Sequence, residues 1–251
     1  MVIGTTKTGP YPKTGMLEGL KDHFVRNEFG CLSHPLFHEN YYRSQLQQAD
    51  TLPTNLLEHF VNEGEAAGLL PHPIYDLDYV LEQASASLGE TIANENDFSH
   101  FSFVIQNDIS PSVLFSPSVY RRSSAAIGID PLSESQSLLC HFIEHWHKHR
   151  CCFSEYFNVD YYYLNNPHLA EVHINPLVHY FLIDTNMRAD ANHFLHNQYY
   201  RLNYQVGEMD ALVHFIRSGY KELLFPNPYA ETELSNIRRL STHDLLNYIK
   251  L

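Results

Sequence analysis

One dipeptide, a histidine followed by an aromatic residue, recurs along the chain at spacings of 36, 41, 41, 38 and 35 residues. Its copies are His23-Phe24, His59-Phe60, His100-Phe101, His141-Phe142, His179-Tyr180 and His214-Phe215. A second dipeptide, an apolar or aromatic residue followed by a residue that can cap a helix, trails each of the first five copies by 14 to 16 residues. It reads Phe37-His38, Tyr75-Asp76, Phe115-Ser116, Phe157-Asn158 and Leu195-His196. Self-similarity at this period is typical of repeat arrays, because a single repeat cannot bury its apolar face alone.

Each repeat is predicted to contain two short helices, which we name A and B. Helix A begins at the capping residue of the second dipeptide, because side chains such as Asp76, Ser116 and Asn158 can accept hydrogen bonds from first-turn amides. Helix B begins at a pair such as Asn175-Pro176 or Asp130-Pro131, since proline at the first helical position loses no needed donor. Helix B carries the histidine at the edge of its apolar stripe. The predicted fold class is all-α, with tandem two-helix repeats stacked as an α-solenoid.

The array is expected to fill residues 16–251, behind a flexible N-terminal lead-in of residues 1–15 that is rich in glycine, proline and threonine. It begins with a half unit, residues 16–36, whose B-type helix spans Met16 to Asn27 and carries His23. The full units are about 37–74, 75–114, 115–156, 157–194 and 195–229, followed by a terminal unit of residues 230–251.

Charge and composition argue against a nucleic-acid partner, a membrane span and secretion. The net charge of −13 argues against nucleic acid, because binding to a phosphate backbone depends on lysine and arginine. No apolar run approaches the roughly 18 residues of a membrane span. The N-terminus lacks the apolar segment of a secretion signal. The four cysteines indicate no disulfide framework, which favours a cytoplasmic location.

The densest group of potential metal ligands lies at the end of the fourth B-type helix. His141, His145 and His149 are spaced by four and share one face if the helix continues. With Glu144 or Cys151 they could complete a zinc shell. Against this, His141 is the recurring repeat histidine. We therefore expect no metal or cofactor, and zinc held by His141, His145, His149 and Cys151 is the alternative.

For three other sets of residues we favour a structural role over a functional one. Asp76-Leu-Asp78 has the D-x-D form by which many glycosyltransferases hold a metal, but the same positions cap and begin helix A. The recurring tyrosine pairs are expected in the core, and a glycan-binding groove is the alternative. The histidines that mark the repeat are expected to hydrogen-bond to a neighbouring helix or loop, and a row of ligands or a pH sensor is the alternative. These histidines are His23, His59, His100, His141, His179 and His214.

The clearest copy of the repeat resembles a repeat that accompanies glycosyltransferase domains of bacterial cell-surface polysaccharide enzymes and that also occurs in some secreted calcium-binding proteins. The matching residues are Phe157, Asp160, Tyr161, Tyr162, Leu164, Asn166-Pro167, Asn175-Pro176-Leu177 and His179-Tyr180. The resemblance covers most of residues 16–251, although the other copies match less closely. It implies a domain that works beside an enzyme, and the repeat brings no catalytic residues of its own.

The expected function is therefore a non-catalytic helical-repeat scaffold or docking module in bacterial cell-surface polysaccharide biosynthesis. Its expected partner is a protein, a glycosyltransferase, with glycan as a further candidate. Two other classes stay open at this point. One is a glycosyltransferase-related enzyme fragment, which would bind a nucleotide sugar. The other is a metal-binding protein that uses the segment from His141 to Cys152.

Overall fold

The computed structural model describes residues 11–13, 18, 20, 22–26, 32–46, 52–89, 97–135, 137–172 and 174–230. Helices dominate these residues, which confirms the all-α class. The two named strands in the described part, β1 (Val25–Arg26) and β2 (Leu32–Ser33), form a short antiparallel pair. Apart from Ala230, the predicted terminal unit lies outside the described residues.

The helices alternate between the two predicted types. The A-type helices are α1 (Glu39–Gln45), α3 (Leu77–Leu88), α5 (Pro117–Ala126), α7 (Val159–Asn165) and α9 (Asn197–Asn203). The B-type helices are α2 (Leu56–His59), α4 (His100–Asn107), α6 (Leu138–His149), α8 (Pro176–Leu182) and α10 (Ala211–His214). Helices α2 and α10 continue into π-helical turns, Phe60–Gly64 and Phe215–Gly219. In the described part of the chain, no helix is long and apolar enough to cross a membrane.

The predicted caps of the A-type helices are confirmed. Asp76 accepts a hydrogen bond from the Tyr79 N–H, and Asn158 accepts one from the Tyr161 N–H. Ser116 and His38 cap their helices through side-chain atoms in the same way, whereas His196 occupies the cap position without a side-chain bond. These bonds satisfy first-turn amides that have no partner inside the helix.

Two B-type predictions need correction. The helix predicted over Met16 to Asn27 does not extend through Val25–Arg26, because these residues pair with Leu32–Ser33 as a β-hairpin and leave His23 in a turn. Asp130-Pro131 opens only a 3₁₀ turn, Pro131–Ser133. Helix α6 begins later, after Ser137, whose hydroxyl accepts a hydrogen bond from the Cys140 N–H.

The described part of the N-terminal lead-in, residues 11–13, is bonded to the segment before α4. The Ser99 N–H donates to the Tyr11 carbonyl, and the Lys13 N–H donates to the Asp97 carbonyl. Pro12 has no N–H to contribute, so its two neighbours make the bonds. These three residues of the lead-in are therefore attached to that segment through main-chain atoms.

The chain forms two compact units, Met1–Ser112 with Glu134–Glu144 and Val113–Ser133 with His145–Leu251. Each unit has its own aromatic core. In the first unit, the rings of Phe60 and Phe101 meet edge to face at 5.1 Å. In the second, Phe157 meets Tyr180 in the same way at 5.5 Å. Such edge-to-face contacts are a favoured geometry for buried aromatic rings.

A backbone hydrogen bond links the cap residue of each A-type helix to the segment that precedes the next A-type helix. For the last of these caps, His196, the segment is the one that begins at Pro226. The cap N–H donates to a carbonyl 30 to 37 residues further along, at 2.8 to 3.0 Å. The pairs are His38 to Pro71, Asp76 to Pro111, Ser116 to Phe153, Asn158 to Ala191 and His196 to Pro226. Within each unit, successive repeats are thus joined through main-chain atoms. This hydrogen bond does not depend on which side chain the cap residue has.

A third repeated position, not predicted from the sequence, lies four residues before each A-type cap and three residues before Ala230. It is polar and buried in every described copy, and in all but Ser112 its side chain accepts a hydrogen bond from a main-chain N–H two or three residues further along. The residues are His34, His72, Ser112, Ser154, Asn192 and Asn227. Asn192, for example, accepts from the N–H groups of Phe194 and Leu195 and donates to the Tyr156 carbonyl. The signal in the sequence is the spacing, because residue type varies among histidine, serine and asparagine.

Candidate functional site

Three of the recurring histidines bond to buried tyrosines. A hydrogen bond joins the hydroxyl of an A-type tyrosine to Nδ1 of a B-type histidine in the pairs Tyr42–His59 (2.7 Å), Tyr162–His179 (2.8 Å) and Tyr200–His214 (2.9 Å). Burial raises the pKa of each tyrosine, so the phenol keeps its proton and can donate a hydrogen bond to the ring nitrogen. The prediction that these histidines bond to a neighbouring helix is confirmed for the three.

Glycine is required behind two of these tyrosines. A Cβ atom at Gly64 would overlap the hydroxyl of Tyr42, and one at Gly219 would overlap that of Tyr200. In both copies the helix runs on to the glycine as a π-helical turn. In the copy centred on His179, the corresponding position is Asp184, and helix α8 ends earlier, at Leu182. Among the three copies with a bonded tyrosine, helix B reaches the fifth residue after the histidine only where that residue is glycine.

His100 departs from this pattern because valine, Val80, occupies the usual tyrosine position of its repeat. Its Nδ1 instead lies 3.0 Å from the hydroxyl of Tyr75 and 3.2 Å from Oε1 of Glu65. Burial lowers the pKa of His100 to about 3 and raises the pKa of Glu65 to about 7. The contact is therefore a hydrogen bond of a neutral imidazole and not an ion pair at neutral pH.

Glu65 acts as a second cap for helix α4. Its Oε1 accepts from the Phe101 N–H at 2.8 Å and from the Ser99 hydroxyl at 3.2 Å, while Oε2 is buried without a hydrogen-bond partner. A carboxylate suits a helix N-terminus, but full burial opposes its charge. This role could not be predicted from the sequence, because Glu65 lies more than 30 residues from the helix that it caps.

Helix α6 carries the three histidines of the predicted zinc site, and Cys151 follows its last residue, His149, by two positions. The ring of His141 is fully buried, and its Nε2 lies 3.8 Å from Oε2 of Glu134. The rings of His145 and His149 have centroids 6.3 Å apart, and the Cys151 thiol donates to the His149 carbonyl. Among the described residues, His149 and Cys151 join no group of three ligand atoms close enough to share an ion. Zinc binding by this segment stays a prediction.

Asp78 lies in the first turn of α3, beside the capping Asp76. The carboxylate of Asp76 is engaged with the Tyr79 amide at 3.0 Å. These positions support the interpretation that Asp76-Leu-Asp78 caps and begins a helix, and not the interpretation that it binds a metal.

The second unit contains a buried ion pair that the sequence analysis missed. Nη1 of Arg188 donates to Oδ2 of Asp210 at 2.6 Å, and the hydroxyl of Tyr180 donates to the same oxygen at 2.9 Å. The other carboxylate oxygen of Asp210 caps α10 by accepting from Leu212 and Val213. Nothing in the sequence pattern connects Asp210 with Arg188, 22 residues away.

Arg188 also lines a cleft of about 1100 Å³ between the end of α7, the segment before α9, and α9 itself. Asn197 lines the same cleft and is likewise almost fully buried. Its amide nitrogen donates to the carbonyls of Arg188 and Ala189. Its main-chain N–H donates to the carboxylate of Asp190, whose pKa burial raises. This cleft is the candidate binding site of the chain.

Comparison of the chain with protein-family models, with curated proteins and with solved structures gave no match. The resemblance of the repeat to one found beside glycosyltransferases therefore remains an expectation from the sequence. Function has to be argued from the contacts described above.

Proposed function

We propose that the chain is a non-catalytic helical-repeat scaffold that docks onto a glycosyltransferase of bacterial cell-surface polysaccharide biosynthesis. The observation that carries the scaffold part is the use of the recurring histidines. His59, His179 and His214, the groups best suited to acid–base chemistry, each bond to a buried tyrosine of the neighbouring helix. The bond holds each ring against the neighbouring helix of its own repeat, which is a structural use of the histidine.

We further propose that the repeats stack as an α-solenoid in the cytoplasm. The main-chain bonds from each A-type cap to the next linker support this arrangement within each unit. Solenoids present extended surfaces for partners, because each repeat contacts only its neighbours and leaves its outer faces exposed. The choice of a glycosyltransferase as partner depends on the resemblance of the repeat alone, which is clearest in residues 157–180.

Affinity capture from cells of the source organism tests this function. The full chain, tagged at one end, is used as bait, and proteins that are displaced by excess untagged chain are identified by mass spectrometry. We expect a glycosyltransferase or another enzyme of polysaccharide assembly among them. Specific capture of enzymes from an unrelated process would reject the proposal.

A second measurement separates the scaffold from an enzyme. Calorimetric titration of the purified chain with nucleotide sugars is expected to release no heat of binding. Saturable binding with turnover of the nucleotide sugar would favour the glycosyltransferase-related enzyme instead.

A further inference from the structure

Residues 11–13 of the lead-in lie on the first unit in the way that a bound peptide would. They run antiparallel to residues 97–99, and two main-chain hydrogen bonds of 2.6 and 2.7 Å join the two segments, one on each side of Pro12. An extended peptide that pairs with an exposed segment in this way is a common mode of recognition, in which main-chain bonds supply affinity and side-chain pockets supply specificity.

The side chain of Tyr11 is the anchor of this segment. Its ring meets those of Phe98 and Phe103 edge to face, at centroid distances of 6.4 and 5.4 Å. Its hydroxyl donates to Oδ1 of Asn107 at 3.1 Å. The Asn107 amide is itself fixed, because its nitrogen donates to the Phe103 carbonyl at 2.8 Å. We call the surface beneath residues 11–13 the peptide groove, and its members are Asp97, Phe98, Ser99, Phe103 and Asn107.

The two residues after the tyrosine also suit the peptide groove. Pro12 lies between the two main-chain bonds, neither of which needs its missing N–H. Lys13 brings a positive charge near the carboxyl group of Glu65, since burial raises the pKa of Glu65 and the charge of Lys13 opposes that rise. The groove therefore favours an extended segment in which an aromatic residue is followed by proline and then by a basic residue.

The contacts of residues 11–13 are of a kind that a competitor can replace. Tyr11 has a φ of +59°, in the left-handed region that favours glycine, so its docked backbone carries strain. The bond between its hydroxyl and Asn107 lies at the surface, where water competes for both groups. A segment that makes the same contacts without the strain would bind more tightly than the lead-in does.

We propose that the peptide groove is the docking site for an extended segment of a partner protein, in which an aromatic residue is followed by proline and a basic residue. Residues 11–13 occupy the groove until that segment displaces them. The site deepens the proposed function, on which it rests, by defining the chemistry through which the scaffold holds its partner.

The test is the binding of a fluorescent peptide with the sequence of residues 8–15 to the full chain, measured by fluorescence anisotropy. In the unchanged chain the lead-in competes as an intramolecular ligand, so the apparent affinity of the peptide is reduced by the fraction of the groove that is open. Tyr11→Ala in the chain removes the anchor of the lead-in and leaves the groove unchanged. We expect the peptide to bind this variant about tenfold more tightly than it binds the unchanged chain.

A matched pair of further variants locates the contact. With the Tyr11→Ala chain, Tyr11→Phe in the peptide should weaken binding about threefold, and Tyr11→Ala in the peptide should abolish it. Adding Asn107→Ala to the chain should remove the difference between the tyrosine and phenylalanine peptides, because the hydroxyl loses its acceptor. Gln106→Ala is the control. Gln106 is exposed as well but lies about 100° further round α4, so the difference should persist.

Two binding results would overturn the proposal, namely no binding of the peptide to the Tyr11→Ala chain and equal binding of the tyrosine and alanine peptides. Loss of the folded state in the Tyr11→Ala chain, detected by circular dichroism, would overturn it too, because a segment that a partner displaces cannot be required for the fold. Sedimentation that shows a dimer of the unchanged chain and a monomer of Tyr11→Ala would assign the groove to a second copy and reject a partner protein.

Failure of the proposed function is a separate result, because the peptide assay contains no glycosyltransferase. Peptide binding together with capture of enzymes from an unrelated process would support the groove and reject the glycosyltransferase as the protein that uses it.

Discussion

Replacing Gly64 by alanine tests how the repeat is held together. The added methyl group would overlap the hydroxyl of Tyr42, which is fully buried and bonded to His59. Displacing a buried ring costs about 1–3 kcal/mol, and losing its hydrogen bond costs about 1 kcal/mol more. Alanine returns about 1 kcal/mol through its better helix propensity. The expected loss of unfolding free energy is about 2 kcal/mol, with an upper end near 3 kcal/mol.

A double-mutant cycle shows whether the loss of stability comes from the overlap between the added methyl group and the Tyr42 hydroxyl. Tyr42→Phe alone should cost about 1 kcal/mol, because it removes the bond to His59. In Gly64→Ala/Tyr42→Phe the overlapping hydroxyl is absent, so the double variant should be at least about 1 kcal/mol more stable than the sum of the single effects predicts. Urea denaturation followed by far-ultraviolet circular dichroism measures all three variants.

Gly68→Ala provides the control. Gly68 lies four residues away, has nothing within 4 Å of an added Cβ, and has a φ of +78°. Alanine there is destabilising through the backbone alone, so its effect should add to that of Tyr42→Phe without coupling. If Gly64→Ala and Tyr42→Phe are equally additive, the interlock of glycine, tyrosine and histidine does not exist.

Three further predictions concern charge and metal. Burial lowers the pKa values of His34, His72 and His100 to about 3, below the unfolded value of 6.5, so the unfolded chain binds more protons and stability falls as the pH drops below 6.5. At pH 5 this difference lowers the free energy of unfolding by about 2 kcal/mol per histidine. Glu65 has the opposite effect, because burial raises its folded pKa to about 7, above its usual value. Between pH 7 and pH 5 it therefore raises the free energy of unfolding by about 2 kcal/mol. Thermal melts should therefore show a free energy of unfolding that is about 4 kcal/mol lower at pH 5 than at pH 7. Equal stability at pH 5 and pH 7 would contradict the burial of neutral imidazoles. Asp210→Ala should cost about 3–5 kcal/mol in urea denaturation, because it leaves a buried guanidinium without its carboxylate; a loss below about 1 kcal/mol would show that the pair is solvated. Elemental analysis of protein purified without chelators should find no stoichiometric zinc, and one zinc per chain would establish the alternative at helix α6.

The local features of the fold could be predicted from the sequence because they depend on neighbouring residues. A cap such as Asp76 acts on an amide three residues away, so its role is visible in a short window. The position of His179 at the edge of an apolar stripe likewise indicated that its ring would meet a neighbouring helix. Periodicity misled at Val25–Arg26, where pairing with β2 replaces the helix.

The buried polar contacts could not be predicted, because they join residues that are distant in sequence. Glu65 reaches Phe101, 36 residues away, and Arg188 reaches Asp210, 22 residues away. Neither pair leaves a periodic signal, since each occurs in one repeat only. The candidate cleft, which is lined by Arg188 and Asn197, was missed for the same reason.

Nuclear magnetic resonance of the histidine side chains tests the central claim most directly. In a long-range ¹H–¹⁵N spectrum at pH 7.5, His59, His179 and His214 should each show an unprotonated Nδ1 and a protonated Nε2, because Nδ1 accepts the tyrosine hydroxyl. The corresponding tyrosine-to-phenylalanine variants assign the signals. Rings that exchange rapidly between both tautomers, or ring signals that the tyrosine-to-phenylalanine variants leave unchanged, would contradict the interlocked repeat on which the proposed scaffold depends.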